Sequence, residues 1–198
     1  MRLSQIASNP SLLFPNCEQT PGKTEEMDHL VSEILNERGR KVIIWANHIR
    51  TIEQLLDRYK GYGAVALYGG TPNDQRQSIA ARFQSEDSVR ILIGNPAAAG
   101  TGFTLTAATY SIYESLSWRY DYYAQSQDRN HRIGQSLPVT YLRMIAVDTI
   151  EEAIVAALER KGNMARDLLG DEGEAPSVSK FSREQMCALL LRNELPNG

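Results

Sequence analysis

The feature that most limits how this chain can fold is the alternation of short apolar runs with segments of helical periodicity. Five runs have the length and composition of buried strands, at residues 41–46, 64–68, 89–93, 110–113 and 139–145. The segments around them carry apolar side chains at helical spacing and predict helices from residue 24, at 50–59, from residue 72, at 120–132 and at 149–169. Because strands and helices alternate, we predict an α/β fold with a parallel sheet covered by helices on both faces.

The two ends of the chain differ from this central pattern. Asn-Pro, Pro-Asn and Pro-Gly pairs interrupt the first 20 residues, which we predict to be irregular. Residues 171–179 are polar and contain Gly, Pro and Ser, which is typical of a linker, and a short helix is predicted near 183–191. We therefore divide the chain into a leading segment at 1–22, a main lobe at 23–170, and a linker with a short helix at 171–198.

Composition excludes several classes of protein. The chain has 198 residues, of which 42% are hydrophobic, so one domain with a real core is expected. Its net charge of −3 argues against a general coat for polyanions, although a local basic patch remains possible. The chain has two cysteines, three scattered histidines, no signal peptide and no apolar run of membrane length. We expect a soluble intracellular protein with no metal site and no membrane partner.

Residues 125–135 contain the sequence feature that most directly indicates chemistry. Arg129 and Arg132 are three residues apart on a predicted helix, so both guanidinium groups can point the same way. Arginine stays charged and offers a planar fork of donors that suits phosphate oxygens. A solvated basic helix end is the other interpretation, because a cation near a helix C-terminus also complements the helix dipole. The spacing alone leaves both interpretations open.

Two glycine-containing loops are placed to approach a ligand. Gly100 and Gly102 lie in a small-residue loop after the third strand, and Gly70 precedes Thr71 at the start of a helix that carries Arg76. Ligands bind at the carboxyl ends of strands in open α/β sheets, and helix N-termini favour anions. We therefore expect these loops and the two arginines to lie on one side of the sheet. Gly70 and Thr71 could equally form an ordinary structural turn.

Two apparent nucleotide-binding motifs fail on inspection. The dinucleotide fingerprint needs a third glycine where Leu105 stands, and its loop follows the third predicted strand instead of the first. Residues 21–24 resemble the end of a phosphate-binding loop, but Cys17 occupies the position of the required earlier glycine. Neither segment predicts a nucleotide cradle within this chain.

The order of the motifs resembles the second RecA-like lobe of the Swi/Snf-type ATPases of helicase superfamily 2. Residues 41–46 are similar to motif IV of that family, residues 100–108 to motif V, and residues 125–135 to motif VI. Residues 67–71, together with Arg76, Ile79 and Phe83, are similar to the block that follows motif IV. Residues 149–152 match the family's Thr-Ile-Glu-Glu helix start, and Lys23 matches the lysine of its Ser-Gly-Lys segment. The resemblance covers about residues 3 to 169.

The resemblance implies roles for individual residues. ATP lies between two lobes in this family, and the second lobe offers Arg129 and Arg132 to the γ-phosphate as catalytic arginine fingers. The residues implied to contact the nucleotide are Gly100, Gly102, Gln125 and Gln135, and the two glutamines are implied either to orient the arginines or to touch the edge of the nucleotide. Those implied to contact DNA, mainly through its backbone, are Asn47, His48, Gly70, Thr71, Arg76, Thr104, Thr106 and Trp118. The implied cofactors are ATP and Mg²⁺, both held mainly by the first lobe, and the implied partners are DNA and the N-terminal RecA-like lobe of the same polypeptide.

The sequence also departs from the family. It has neither a phosphate-binding loop nor an Asp-Glu-x-His magnesium motif, and both belong to the first lobe. We therefore expect this chain to be the C-terminal part of a double-stranded DNA translocase or helicase-like ATPase, inactive as an ATP hydrolase alone. The segment around Trp118 differs from the family's acidic motif, which suggests a phage or bacterial branch. The expected location is the cytoplasm, or the nucleus in a eukaryote.

Two other functions remain open at the level of sequence. The chain could be a stand-alone DNA-binding or protein-binding module without ATPase activity. It could also be an unrelated nucleotide-binding α/β protein, which the incomplete glycine fingerprint disfavours.

Overall fold

The computed structural model describes residues 2–14, 16–17, 19–98 and 102–169. The five strands among them are β1 Val42–Trp45, β2 Val65–Leu67, β3 Ile91–Gly94, β4 Tyr110–Tyr113 and β5 Thr140–Arg143. The helices are α1 Arg2–Ser8, α2 Gly22–Asn36, α3 Ile49–Arg58, α4 Asn73–Ser85, α5 Tyr120–Gln127 and α6 Ile150–Leu169. Each predicted strand is therefore present, within two residues of its predicted bounds.

The strands form one parallel sheet in the order β2-β3-β1-β4-β5. The central strand β1 pairs on both sides, so that Ile44 lies opposite Ile93 and Ile112. All four residues of β1 are buried, as expected for a strand covered on both faces. The predicted parallel α/β architecture is confirmed.

Alternate residues of each strand supply two separate cores. Val42 and Ile44 of β1 pack with the apolar faces of α2 and α3. Ile43 and Trp45 point to the opposite face, where the core includes side chains of α4 and α6. This division follows from the two-residue period of a strand, which sends successive side chains to opposite faces. The connection between β3 and β4 covers part of the second face through Leu105.

One part of the predicted secondary structure is wrong at the N-terminus. The first 20 residues were expected to be irregular, but residues 2–8 form α1 and Pro10–Leu12 form a turn of 3₁₀ helix. The hydroxyl group of Ser8, at the end of α1, donates a hydrogen bond to the Glu114 carboxylate (2.6 Å). This tertiary contact gives the short helix a support that its own sequence does not indicate. The predicted linker and helix beyond residue 170 lie outside the described residues.

Candidate nucleotide and nucleic-acid interface

The segment that follows α5 carries both arginines singled out by the sequence. The prediction of one helix over residues 120–132 is wrong in its second half, because α5 ends at Gln127 and turns follow. The backbone carbonyl of Arg129 accepts a hydrogen bond from the backbone N–H of Leu105 (2.8 Å), a tertiary contact at a position where the predicted helix would have only its own backbone bonds. We call residues 128–135 the arginine segment.

Arg129 is half-buried and lacks a partner for part of its guanidinium group. Its Nε atom is buried and has no hydrogen-bond partner among the described residues. Burial lowers the pKa of Arg129, the nearby charge of Arg132 lowers it further, and Asp128 acts in the opposite direction. A partly desolvated cation beside a like charge is unfavourable unless an anion approaches. This geometry therefore favours binding of an anionic group at Arg129.

Arg132 is exposed, and its side chain contacts the loop that contains motif V. Its Nη1 atom lies 3.4 Å from the carbonyl oxygen of Gly102 and 3.4 Å from the hydroxyl of Thr104, both long contacts. Gly102 has a φ of 78°, a backbone conformation that favours glycine. Gly100, the other glycine predicted to contact a nucleotide, lies outside the described residues. Arg132 is thus placed by weak contacts that a stronger anionic partner could replace.

Gln135 joins the arginine segment to the residues before β4. Its Nε2 atom donates hydrogen bonds to the carbonyl oxygens of Thr106 (2.9 Å), Ala108 (3.3 Å) and Asn130 (3.3 Å). These contacts use the side-chain amide that we predicted to orient the arginines or to touch the nucleotide. They join Gln135 to the arginine segment through the carbonyl of Asn130, and the role of Gln135 stays a prediction. Gln125, the other predicted glutamine, is exposed on α5.

The side chain of Gln84 holds Thr106 from the other side, which the sequence analysis did not anticipate. Gln84 lies in α4 and donates through Nε2 to the Thr106 hydroxyl (3.1 Å), while its Oε1 atom accepts from the backbone N–H of Ala107 (2.8 Å). Since the hydroxyl oxygen accepts this bond, the hydroxyl proton stays free to donate to a phosphate. Gln84 comes directly after Phe83, the last residue of the block that follows motif IV, and this position was the sequence signal that could have drawn attention to it.

These contacts bring together most of the predicted nucleotide-site residues, near the amino ends of two strands. Ala108, which Gln135 contacts, comes two residues before the first residue of β4. The arginine segment itself leads into the start of β5. Thr106 and Gln135 therefore lie near the amino ends of β4 and β5. The expectation that the Gly70 and Gly102 loops and the two arginines share one side of the sheet stays a prediction.

Asn47 and His48, by contrast, follow β1 at its carboxyl end. The backbone N–H of Asn47 donates to the Ser115 hydroxyl (3.0 Å), and its side-chain amide donates to the Ser115 carbonyl (2.7 Å). Asn47 thereby ties the loop after β1 to the loop after β4. Burial lowers the pKa of His48, while the nearby Glu114 carboxylate partly opposes that effect.

The turn after β2 contains the next three predicted DNA contacts. Thr71 is buried, and its hydroxyl accepts from the backbone N–H of Tyr68 (3.1 Å) and donates to the carbonyl of Ala66 (3.2 Å). Arg76 donates to the carbonyls of Thr71 (3.0 Å) and Tyr68 (3.3 Å). These bonds give the turn a fixed shape and leave exposed Gly70 as the part of it that a DNA backbone could approach.

Trp118 lies at the edge of an open groove against α6. Its side chain is 47% exposed, and the groove has a volume of about 560 Å³. The other residues that line the groove are Ala153, Ala156, Glu159, Arg160 and Asn163. Arg160 and Asn163 were not among the predicted DNA contacts. Their spacing from Ala153 and Ala156 puts all four on one side of a helix, and that spacing is the sequence signal for their common place in the groove.

The sequence of this lobe matches a known protein family. Residues 23–134, more than half of the chain, match the family described as the helicase conserved C-terminal domain. The chain belongs to this family. Its arginine segment and its motif V loop lie largely within the matched range, so the helicase-type assignment covers most of the nucleotide site described above.

The curated relatives of this helicase C-terminal domain are Swi/Snf-type proteins. A Drosophila melanogaster homolog of the SWI/SNF-related regulator of chromatin that contains DEAD/H box 1 is 31% identical over 174 residues, 86% of this chain and 20% of the relative. The human chromatin-remodeling ATPase INO80 is 30% identical over 176 residues, 87% of this chain and 11% of INO80. The chain thus spans about a tenth to a fifth of the length of these relatives.

Solved structures place the fold in the same family. The ATPase core of Sulfolobus solfataricus SWI2/SNF2 in complex with double-stranded DNA matches with a TM-score of 0.68 and 28% identity, over 86% of this chain and 36% of that one. The C-terminal part of the Fun30 ATPase domain matches with a TM-score of 0.64 and 25% identity, over 83% and 61% respectively. The predicted likeness to the second RecA-like lobe of Swi/Snf-type ATPases is confirmed.

Two further properties concern the described residues alone. None of their helices is long and apolar enough to cross a membrane. No three side chains of His, Cys, Asp or Glu among them come together as possible metal ligands.

Proposed function

We propose that this helicase C-terminal domain is the second half of an ATP-dependent translocase on double-stranded DNA. In this role it contributes Arg129 and Arg132 to ATP hydrolysis and several loops to DNA binding. The observation that carries the proposal is the guanidinium group of Arg129, whose buried Nε atom has no partner among the described residues. Other arginines of the described chain, such as Arg58 and Arg143, form ion pairs with carboxylates.

Bound ATP and Mg²⁺ would supply a phosphoanhydride bond and charge neutralisation, and the residues of the first lobe would hold both. Arg129 and Arg132 would contact the γ-phosphate from the opposite side, where negative charge develops during phosphoryl transfer. Gln135 keeps the arginine segment against the backbone of Thr106 and Ala108, which limits its movement before ATP arrives. Guanidinium groups that are held in place before the reaction stabilise the transition state with less reorganisation, and Gln135 would contribute to that placement.

DNA contact is proposed for the loops at the carboxyl edge and for the motif V loop. The Trp118 groove combines an aromatic face with the exposed cation of Arg160, a combination suited to a nucleic-acid backbone and its grooves. Asn47, Gly70, Thr104 and Thr106 offer neutral donors or close backbone approach. Contacts of this kind fix position on DNA without selecting its sequence. The similar ATPase core of Sulfolobus solfataricus SWI2/SNF2 is in complex with double-stranded DNA, which supports this choice of substrate.

The proposal is tested with the 198-residue chain and with a parent protein that carries both lobes. We expect the chain alone to release no phosphate from ATP, because it has no phosphate-binding loop or magnesium carboxylates of its own. The parent should hydrolyse ATP with stimulation by duplex DNA and displace a triplex-forming strand from that duplex. Reactions without ATP are the control. ATP hydrolysis by the parent without DNA stimulation or strand displacement would contradict the translocase proposal.

A further inference from the structure

A buried group of charges lies where α2, α6 and the end of β4 meet. The ammonium group of Lys23 donates to the Glu151 carboxylate (2.5 Å) and to the backbone carbonyl of Glu114 (2.7 Å). The side chains of Lys23 and Glu151 are only 7% and 5% exposed. The second oxygen of Glu151 accepts from the backbone N–H of Ala146 (2.8 Å). We call Lys23, Glu114 and Glu151 the Lys23 cluster.

The placement of this ion pair is more informative than its energy. Buried ion pairs are expensive to desolvate, and apolar side chains of similar volume often stabilise a fold equally well. The Lys23 ammonium, however, also holds the carbonyl of Glu114, the first residue after β4. The direction of that carbonyl fixes the direction in which the chain leaves the sheet. An apolar side chain could fill the same space but could not hold this carbonyl.

The loop that begins at Glu114 is held at two further points before it reaches α5. Asn47 holds the backbone and side chain of Ser115, and the Lys161 ammonium donates to the carbonyl of Trp118 (2.7 Å). Asn47 is partly exposed and Lys161 is exposed, so water can replace either of them when it is lost. The bond from Lys23 is shielded from water, so its loss leaves the Glu114 carbonyl without a substitute partner.

We infer that Lys23 is a positioning residue, which sets the course of residues 114–118 and thereby presents Trp118 at the groove along α6. This inference rests on the proposed function, because it assigns Lys23 to the DNA contact made by Trp118. Lys23 itself is buried and acts only through the loop. The leading segment joins the same point, since the Ser8 hydroxyl binds the Glu114 carboxylate.

The chain offers a sensitive probe and a matched control for this role. Trp45 is 1% exposed and Trp118 is 47% exposed, so quenching of tryptophan fluorescence by acrylamide reports on Trp118. Lys41 is a second buried lysine, and it donates to the backbone carbonyls of Phe83 and Glu86, away from the Trp118 loop. Lys41→Met therefore removes a buried ammonium that holds backbone carbonyls, the feature it shares with Lys23, without touching the loop.

The experiment compares Lys23→Met with Lys41→Met in the 198-residue chain, at a temperature where circular dichroism shows both to be folded. For Lys23→Met we expect altered acrylamide quenching and a loss of duplex DNA affinity of roughly threefold to tenfold. In Trp118→Ala the further change Lys23→Met should cost little additional affinity, because both act on one contact. Lys41→Met should leave quenching and affinity unchanged, even if it lowers the melting temperature.

Folded Lys23→Met with the quenching and DNA affinity of the unaltered chain would overturn the inference, as would fully additive losses in the double variant. If Lys23→Met does not fold, Glu151→Gln replaces it, because glutamine keeps the shape and the bond to Ala146 while weakening the hold on Lys23. The same two readouts should then change in the same direction, and no change would overturn the inference. If the unaltered chain does not bind DNA, the proposed DNA contact of this lobe fails, and the quenching measurement still decides the role of Lys23.

Discussion

The Lys23 cluster and the arginine segment differ in whether their positively charged side chains have close partners. In the Lys23 cluster, a buried ammonium has a carboxylate and a backbone carbonyl as close partners. In the arginine segment, Arg129 has a buried nitrogen without a partner, and Arg132 makes only contacts of 3.4 Å, in both cases among the described residues. Both regions lie in the same small lobe, so the difference is not one of overall composition.

We therefore distinguish charges that form part of the structure of this lobe from charges that we propose to bind a ligand. Lys23 has a carboxylate partner in Glu151, and Arg129 has no such partner within the described part of the chain. The charges that act on Arg129 are those of Arg132, which is of the same sign, and Asp128. An unpaired, partly buried cation destabilises the lobe, and an incoming anion removes that cost. We therefore interpret the arginine segment as incomplete without a phosphate, whereas Lys23 and Glu151 satisfy each other's charge within the lobe.

The largest effect on stability should come from breaking the buried Lys23–Glu151 pair. Glu151→Ala leaves the Lys23 ammonium buried without its carboxylate, and we expect the free energy of unfolding to fall by about 3–5 kcal/mol. Asp57→Ala is the control, because the Lys60–Asp57 pair is 76% and 79% exposed and should contribute less than about 1 kcal/mol. Urea denaturation measures both. Equal losses for the two variants would show that the Lys23 cluster is not the structural unit that we describe.

A smaller effect should appear in the dependence of stability on pH, through His48 beside the cluster. Burial lowers the pKa of His48 below its ordinary value of 6.5, against the opposing charge of Glu114, so the unfolded chain binds a proton more readily than the folded one. This contribution to stability is therefore complete above pH 6.5 and is lost as the pH falls through the lower pKa of the folded state.

We expect the free energy of unfolding to fall as the pH drops below 6.5, by up to about 1.4 kcal/mol per pH unit. His48→Gln should remove this part of the pH dependence. Lys23 and Glu151 also act on His48, so denaturation curves of the variant and the unaltered chain should be compared at each pH. Parallel pH profiles for the two proteins would contradict the assignment of the slope to His48.

The smallest change in stability is expected where a charge is unpaired. Arg129→Met removes a half-buried cation but keeps much of the side-chain volume, so the free energy of unfolding should change by less than about 1 kcal/mol, in either direction. Urea denaturation beside Glu151→Ala gives the comparison directly. A loss as large as that of Glu151→Ala would show that Arg129 is a structural residue of the lobe, and the contrast between the two regions would disappear.

Much of the fold was predictable because its signals are local. Runs such as residues 41–46 and the long helix from 149 to 169 reveal their type through length and apolar spacing alone, and the structure has β1 at Val42–Trp45 and α6 at Ile150–Leu169. The early end of α5 was not predictable in this way. The hydrogen bond between the backbones of Leu105 and Arg129 joins residues far apart in sequence, and helical spacing carries no information about it.

The candidate site was predictable in its parts and less so in its assembly. The motif order identified Arg129, Arg132 and the motif V loop, and the structure brings these together. It did not indicate that the Gln84 side chain would hold Thr106, or that Lys23 would hold the start of the Trp118 loop. Each of these contacts joins residues far apart in sequence through a single side chain, so only the tertiary structure reveals it.

The central claim is that the arginine segment acts on the γ-phosphate, and Arg132→Ala in the parent with both lobes tests it most directly. We expect the turnover number for DNA-stimulated ATP hydrolysis to fall roughly a thousandfold, while DNA affinity changes little. Arg132→Lys should recover little activity, because it keeps the charge but loses the planar fork. Arg82→Ala, which removes an exposed arginine paired with Glu86 on α4, is the matched control and should keep normal turnover. An unchanged turnover number for Arg132→Ala would contradict the account.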